Sequence, residues 1–255
     1  MAPVSHIMGC DSIKQAFMYS GKKVSIVIPT YNEADSIRSV IDGFFATGYV
    51  DEVIVVDNNA LGNTKTEVAK TKARLIEEKE NQGYGHAIMR GLREATGDLI
   101  VTVEADGTFD PKDLHKLLLY SDDFPVVFGT RTSRAAIWSG AFMPFSVRLG
   151  NWAMAKVIET LHNGPTLTDV GCTFKLIDRK SLEDIKKFFP WSDGDGKFSP
   201  EMMIWLIRRE RRVIEIPVMY LPRVGQSMYT GSIMKAAWLG LKMIPLIVSY
   251  RFKKL

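Results

Sequence analysis

The amino-acid sequence predicts an α/β protein built on a mostly parallel, doubly wound sheet. Three observations carry that expectation. Short β-branched runs alternate with helical periodicity from residue 24 to about residue 131, the rhythm of strand–helix–strand units. The runs VSIVIP (24–29), EVIVV (52–56) and LIVTV (99–103) are apolar almost throughout, as in strands covered on both faces. Each then stops at polar or acidic residues, and strand carboxyl ends are where an open α/β sheet presents its ligand groups.

In chain order, residues 1–22 lack clear periodicity and read as an arm, with 11–18 as a short candidate helix. The strand at 24–29 is stopped by Pro29, and residues 30–33 form a loop at its carboxyl end. Asp35 reads as the N-cap of a helix whose Ile37, Val40, Ile41, Phe44 and Phe45 share one face; Gly48 ends it. The strand at 52–56 finishes in Asp57-Asn58-Asn59. A helix at 64–72, a strand at 74–78 and a helix at 85–95 closed by Gly97 follow. After the strand from 99 come a helix begun by Pro111, a residue suited to a first turn, and a strand at 126–129.

Beyond Arg131 the rhythm changes. Residues 132–145 form a loop longer than ordinary connections, a length associated with function or motion. Helices are expected at 147–161, 179–188 and 200–210, extended chain at 172–177 and 213–218, and a loop at 191–197. This half is expected to add strands to the same sheet.

The 255 residues are 46% hydrophobic and 24% charged, an ordinary globular composition with enough chain for a large core. Cys10 and Cys172 lie far apart, with no metal spacing, and imply a reducing compartment and no disulfide framework. No secretory signal is read in residues 1–21. The net charge of +4 is uneven. Residues 231–255 carry Lys235, Lys242, Arg251, Lys253 and Lys254 without an acid, so the remainder sums to −1. That pattern points to an anionic surface at one end and away from nucleic acid.

In this tail, Lys235, Lys242 and Ser249 draw one polar line on an otherwise apolar helix. The segment is too short and too interrupted to span a bilayer, and Pro245 is expected to kink or split it. A helix lying in the interface of an anionic membrane fits the charge. A helix docked on the protein's own sheet, or a homo-oligomer contact, fits the apolar face equally.

The strand from Leu99 ends in Glu104-Ala105-Asp106, two carboxylates that can point into one crevice. Two hard oxygen ligands leave room for diphosphate oxygens and water around Mg2+ or Mn2+.

Eight segments in order make the chain resemble a known family. They are VSIVIPTYNE (24–33), VIVVDNN (53–59), NQGYGHA (81–87), GDLIVTVEADGTFDP (97–111), FGTR (128–131), RLGN (148–151), TDVGCTFKLIDR (168–179) and EIPVMYLPRVGQS (215–227). Together they resemble glycosyltransferase family 2, in its polyprenyl-phosphate (dolichyl-phosphate-mannose-synthase-like) branch. The resemblance implies a GT-A fold over residues 23–230, with a nucleotide-sugar half at about 23–131 and an acceptor half at about 132–230. It implies a GDP- or UDP-linked sugar as donor, Mg2+ or Mn2+ as cofactor, and a hexose passed to a polyprenyl phosphate. The place implied is the cytoplasmic face of a membrane, with the protein peripherally attached.

Residue by residue, Pro29, Tyr31 and Glu33 match nucleotide contacts. A strand-to-helix turn would also explain Glu33. Asp57 matches the first acid of the family's usual VDD, and Asn58 replaces the second. Gly83 and Gly85 fit a close backbone approach to the nucleotide or an ordinary turn before a helix; His86 reads as structural. Asp106 matches the direct metal ligand, while Glu104 replaces an aspartate and reaches the metal through water or contacts the sugar. Arg131 and Arg148 match acceptor-phosphate positions, and Arg223 with Ser227 matches a loop closing over the diphosphate.

A phosphomonoester acceptor is largely a dianion near neutral pH, so it needs positioning by arginine forks more than a base. Trp138, Phe142 and Phe145 would give a prenyl chain an apolar approach. A hydroxyl acceptor would need a base, for which Asp169 is the candidate; hydrogen bonds to backbone amides would also explain that acid. A third reading, a non-catalytic nucleotide-sugar-binding membrane scaffold, is motivated by Glu104 and Asn58.

Overall fold

The computed structural model describes residues 19–187, 197–225 and 233–253, the last segment with side chains from Met243 onward. The candidate helix at 11–18, Ser227 and nearly all of the loop at 191–197 lie outside the described residues.

The first half folds as its alternation requires. Strands β1 (Val24–Thr30), β2 (Glu52–Asp57), β3 (Arg74–Glu77) and β4 (Leu99–Thr102) are linked by helices α1 (Ala34–Ala46), α2 (Thr64–Val68) and α3 (Tyr84–Glu94). The second half contributes α4 (Leu114–Tyr120), β5 (Val126–Thr130), α5 (Phe145–His162), β6 (Lys175–Asp178), α6 (Arg179–Lys186), α7 (Phe198–Arg208), β7 (Val213–Pro217) and α8 (Ile233–Phe252).

All seven strands join one sheet in the order β3-β2-β1-β4-β6-β5-β7. β1 pairs in parallel with β2 (Val27 opposite Ile54) and with β4 (Val27 opposite Thr102). β6 alone is antiparallel, to both β4 and β5. This reversal matters for the site. Since β6 starts at the edge where β5 ends, the whole connection from Arg131 to Phe174 begins and finishes beside the carboxyl ends of the parallel strands.

Alternate strand residues face opposite layers, as the pleat demands. Val27, Ile54, Val56 and Ile100 face a core built with α3, α5, α6, α7 and α8. Ile26, Ile28, Val55 and Val101 face a second core built with α1, α4 and Val68 of α2. Gly91 lets α3 lie close on β1, since a Cβ there would stand 2.3 Å from Val27 Cγ1.

Several boundaries differ from expectation. Pro29 lies buried within β1, opposite Val56, instead of stopping it. Its missing N–H falls on the β4 side, beyond the last pairing of Val27 with Thr102 and Val103, so no ladder bond is lost. Glu33, not Asp35, is the N-cap of α1, with no side-chain capping bond. Residues 111–113 form a 3₁₀ turn ahead of α4, capped by Asp110, which accepts from Lys112 N at 3.0 Å.

In the tail, Pro245 does not split the helix, and α8 runs unbroken through it. Met243, Ile247 and Tyr250, at i, i+4 and i+7, are buried against the core that includes α5 and α7. His162 Nε2 meets Ile247 O at 3.1 Å and the Tyr250 hydroxyl meets Glu201 Oε1 at 2.8 Å. Arg208 binds the carbonyls of Tyr250 and Lys253 at the helix end. The described end of the tail therefore packs on the protein's own core, against α5 and α7. Among the described residues, no helix is long and apolar enough to cross a membrane.

Candidate active site

β1 and β4 lie side by side at the centre of the sheet, with β2 beyond β1. Their carboxyl ends open the crevice where strand order reverses, the usual ligand position in an open α/β sheet. Asp57 ends β2, while Glu33 follows β1 and Glu104 and Asp106 follow β4.

Asp106 is fully buried, and its Oδ1 accepts from Thr108 N (2.9 Å) and Thr108 Oγ1 (2.7 Å). Oδ2 has no geometrically sound hydrogen bond and lies 2.5 Å from Arg223 Nη2. The same nitrogen is 3.3 Å from Glu104 Oε2, while Thr173 Oγ1 meets Glu104 Oε1 at 3.1 Å. Arg223 is carried by a strap tied to the acidic turn: Leu221 N donates to Thr108 O and Val224 N to Asp106 O. Burial, then the neighbouring Asp106 charge, pushes the Glu104 carboxyl up to about 8. A cation between these acids relieves both effects. Hard oxygens, a buried oxygen lacking a hydrogen bond and a cation already drawn to it together fit Mg2+ or Mn2+. Among the described residues, no cluster of three or more His, Cys, Asp or Glu side chains is placed to hold a metal. The rest of a shell would come from substrate and water.

The nucleotide-side residues divide in role. Glu33 folds back on its own loop, accepting from Thr30 Oγ1 (2.9 Å) and Tyr31 N (3.0 Å), and burial raises its pKa. Tyr31 is half-buried. Asp57 Oδ1 accepts from Ala60 N, while its buried Oδ2 lacks a hydrogen bond and lies 3.6 Å from Lys65 Nζ. Asn58 has both ends of its amide engaged: Nδ2 donates to Asn81 Oδ1 (2.7 Å), and Oδ1 accepts from Gln82 N (3.1 Å). It clamps the 81–83 turn, where Gly83 has φ +93°. That internal role accounts for an uncharged residue at this position. His86, 4.0 Å from Glu78, keeps to a structural place.

On the acceptor side, the structure joins two residues that the sequence left separate. Asp169 is fully buried and grips Arg131 in a fork: Oδ2 accepts from Arg131 Nε (2.9 Å) and N (3.0 Å), Oδ1 from Nη2 (3.0 Å). Gly171 N adds a fourth bond at 3.0 Å. Burial opposes ionisation, yet Arg131 holds the Asp169 carboxyl below its usual range. All four of these bonds use the carboxylate as an acceptor, so in this structure Asp169 serves as the counter-ion of Arg131. Arg131 retains Nη1 outside this pair and lies over the Tyr220 ring at 5.2 Å. Arg148 stands on α5, its guanidinium 5.6 Å from the Phe145 ring. One turn later, Asn151 borders Gly171, where a Cβ would lie 3.0 Å from both Asn151 Oδ1 and Arg131 Nη2.

Sequence reading passed over several contributors. Glu215 of β7 accepts from Thr168 N, Thr168 Oγ1 and Asp169 N, fixing the loop that presents Asp169. Buried Lys175 binds Cys172 O and, at 2.9 Å, Ser199 Oγ; burial lowers its pKa. The Tyr84 hydroxyl is buried near Glu104, and burial with that charge raises its pKa well above the usual value. Tyr84 and Lys175 lie inside quoted motifs, but only three-dimensional placement shows what they touch.

The family described as Glycosyl transferase family 2 matches residues 25–186. An uncharacterized glycosyltransferase of Mycobacterium tuberculosis is 31% identical over 216 residues, covering 84% of this chain and 93% of that one. Dolichyl-phosphate hexose transferase of Haloferax volcanii is 30% identical over 211 residues, covering 82% and 87%. Undecaprenyl-phosphate 4-deoxy-4-formamido-L-arabinose transferase of Klebsiella pneumoniae is 30% identical over 221 residues, covering 82% of this chain and 63% of that protein. In fold, glucosyl-3-phosphoglycerate synthase from Mycobacterium tuberculosis, crystallised with Mn2+, UDP and its product, superposes with a TM-score of 0.69. That likeness covers 100% of this chain and 88% of that one at 17% identity. With the matched segment spanning well over half its length and the sheet arranged as a GT-A domain, this chain belongs to glycosyltransferase family 2.

Proposed function

We propose that this glycosyltransferase moves a hexose from a GDP- or UDP-linked donor to a polyprenyl phosphate at the cytoplasmic face of a membrane, with inversion and with a divalent cation. The observation that carries the acceptor class is the Arg131–Asp169 fork. It engages Asp169, the acid that a hydroxyl acceptor would use as a base, and leaves Arg131 Nη1 and Arg148 as donors for an acceptor phosphate. Two relatives whose names state a polyprenyl-phosphate acceptor support the same reading.

In this mechanism Asp106 and Glu104 would hold the divalent ion, which would supply neutralisation of charge developing on the leaving diphosphate. Arg223, already beside both acids, adds donors for the diphosphate oxygens. Arg131 and Arg148 orient the acceptor phosphate, whose oxygen is an anion before reaction and needs no proton removed. Catalysis is then electrostatic and positional. The non-catalytic scaffold has no support in residues that keep this arrangement of acids and arginines.

The test offers radiolabelled GDP- and UDP-hexoses with Mn2+ to the protein in the presence of a polyprenyl phosphate, the corresponding polyprenol or a soluble saccharide. Label is expected in an organic-phase product only with the phosphate. Comparable transfer to the polyprenol or saccharide overturns the acceptor assignment.

A further inference from the structure

Large apolar side chains left in solvent are unevenly spread. Trp138, Phe142, Phe145, Leu149 and Trp152 are each between 46% and 67% exposed and lie in one stretch of chain. Phe145, Leu149 and Trp152 recur at i, i+4 and i+7, so they share one face of α5. Other turns of α5 bury Ala155, Ile158 and His162 in the core, so this exposed face is surplus to folding.

Charge distinguishes the occupant. From residue 124 through 158 the chain has no acid, while it carries Arg131, Arg134, Arg148 and Lys156. Arg131 is turned to Asp169 and Lys156 to Glu159 at 2.6 Å, leaving exposed Arg134 and half-buried Arg148 along the ridge. A second copy meeting this face about a twofold axis would set these arginines against their own kind, with no acid in the segment to pair them. An anionic lipid surface meets both the aromatic side chains and the arginines.

The ridge also adjoins the site. Trp138 N donates to Tyr220 O at 2.9 Å, and a Cβ on Gly140 would lie 3.3 Å from Pro222. Both contacts fall on the strap that carries Arg223 to Glu104 and Asp106.

We propose that the exposed face of α5 made by Phe145, Leu149 and Trp152, with Trp138 and Phe142 in the loop that leads into it, is a membrane-docking surface that enters the interface of an anionic bilayer beside the site. This deepens the reading that the acceptor is a membrane lipid, and rests on that reading only for its purpose. It also moves the membrane contact away from the tail, where Met243, Ile247 and Tyr250 are occupied internally.

The experiment measures partition of the full chain onto phosphatidylcholine vesicles with and without phosphatidylglycerol, none containing polyprenyl phosphate. Binding is expected with phosphatidylglycerol, weakening as salt rises, with a blue shift of tryptophan emission. The double substitution Leu149→Ser with Trp152→Ser is expected to weaken partition at least about tenfold while keeping the thermal midpoint, since both side chains are exposed. Val248→Ser with Phe252→Ser, on the exposed side of α8, is expected to retain binding. Absence of wild-type binding overturns the proposal, as does unchanged binding by the ridge variant or an equal loss in the α8 variant. A dimer dissolved by the ridge variant, without vesicle binding, would assign the face to a second copy instead. Transfer to a short-chain polyprenyl phosphate in solution is scored separately. Vesicle binding without such transfer keeps the docking surface and removes the acceptor reading, and transfer without vesicle binding does the reverse.

Discussion

Replacing Asp169 with Asn tests whether the acceptor side rests on a buried ion pair. The carboxylate accepts from Arg131 N, Nε and Nη2 and from Gly171 N, two donors on each oxygen. An amide can serve one of those pairs. Its NH2 would face N–H donors at the other, and Arg131 would keep its charge without a counter-ion while side-chain exposure is only 10%. Leaving one member of a buried pair alone costs about 3–5 kcal/mol. In a chain of this size, that corresponds to a melting temperature lower by roughly 6–20 °C. Circular dichroism melts at neutral pH measure it directly. A companion double variant, Asp169→Asn with Arg131→Met, should recover part of the loss because no charge is then stranded. The reasoning fails if Asp169→Asn melts within about 2 °C of the parent, or if the double variant is as unstable as the two single losses added. Activity alone would not separate acceptor classes here, because displacing Arg131 harms either reaction.

Asp106→Ala should lower transfer by at least about 10²–10³-fold, the scale of losing one preorganised electrostatic partner in a transition state. It should also abolish Mn2+-dependent binding of nucleoside diphosphate in calorimetry, and near-normal turnover would sink the assigned role. Stability should fall as pH drops through the ordinary histidine value and below it, through His162. Burial lowers its pKa, its Nε2 meets Ile247 O, and its Nδ1 is buried without a partner. The unfolded chain therefore binds the proton more readily, so stability is complete above the unfolded pKa and is lost as pH falls through the folded one. Melts from pH 7.5 to 5.5 should show this decline (about the range in which histidine titrates), and His162→Gln should flatten it; an unaltered slope assigns the decline elsewhere.

The central fold was legible because its signals are local. Continuous β-branched runs mark β1, β2 and β4, and the 3.6-residue period of Ile37, Val40, Ile41 and Phe44 marks the buried face of α1. Strand direction carries no comparable local mark. The reversal of β6 follows from how α5 and the 163–174 segment return, and without it the placement of TDVGC beside Arg131 could not be derived. The acids after β1, β2 and β4 were legible as a group for the same local reason. Their partners were not, since Arg223 lies 117 residues beyond Asp106 and Asp169 lies 38 beyond Arg131. The apolar period of the tail was likewise readable, but a helix face does not state whether a membrane or α5 will cover it.

These pairings change how the three arginines bear on catalysis. Arg131 is matched by Asp169 and Arg223 by Glu104 and Asp106, whereas no acid occurs within ten residues of Arg148 on either side along the chain. A phosphate approaching Arg131 meets a fork already neutralised on one side, with Nη1 as its remaining end, so Arg131 orients more than it attracts. In the proposed mechanism attraction would then fall to Arg148, on the helix that also bears Phe145, Leu149 and Trp152. On the proposed reading, the arginine that would draw an anionic headgroup and the side chains that would meet a bilayer belong to one helix, a placement suited to an acceptor whose phosphate is attached to a lipid chain.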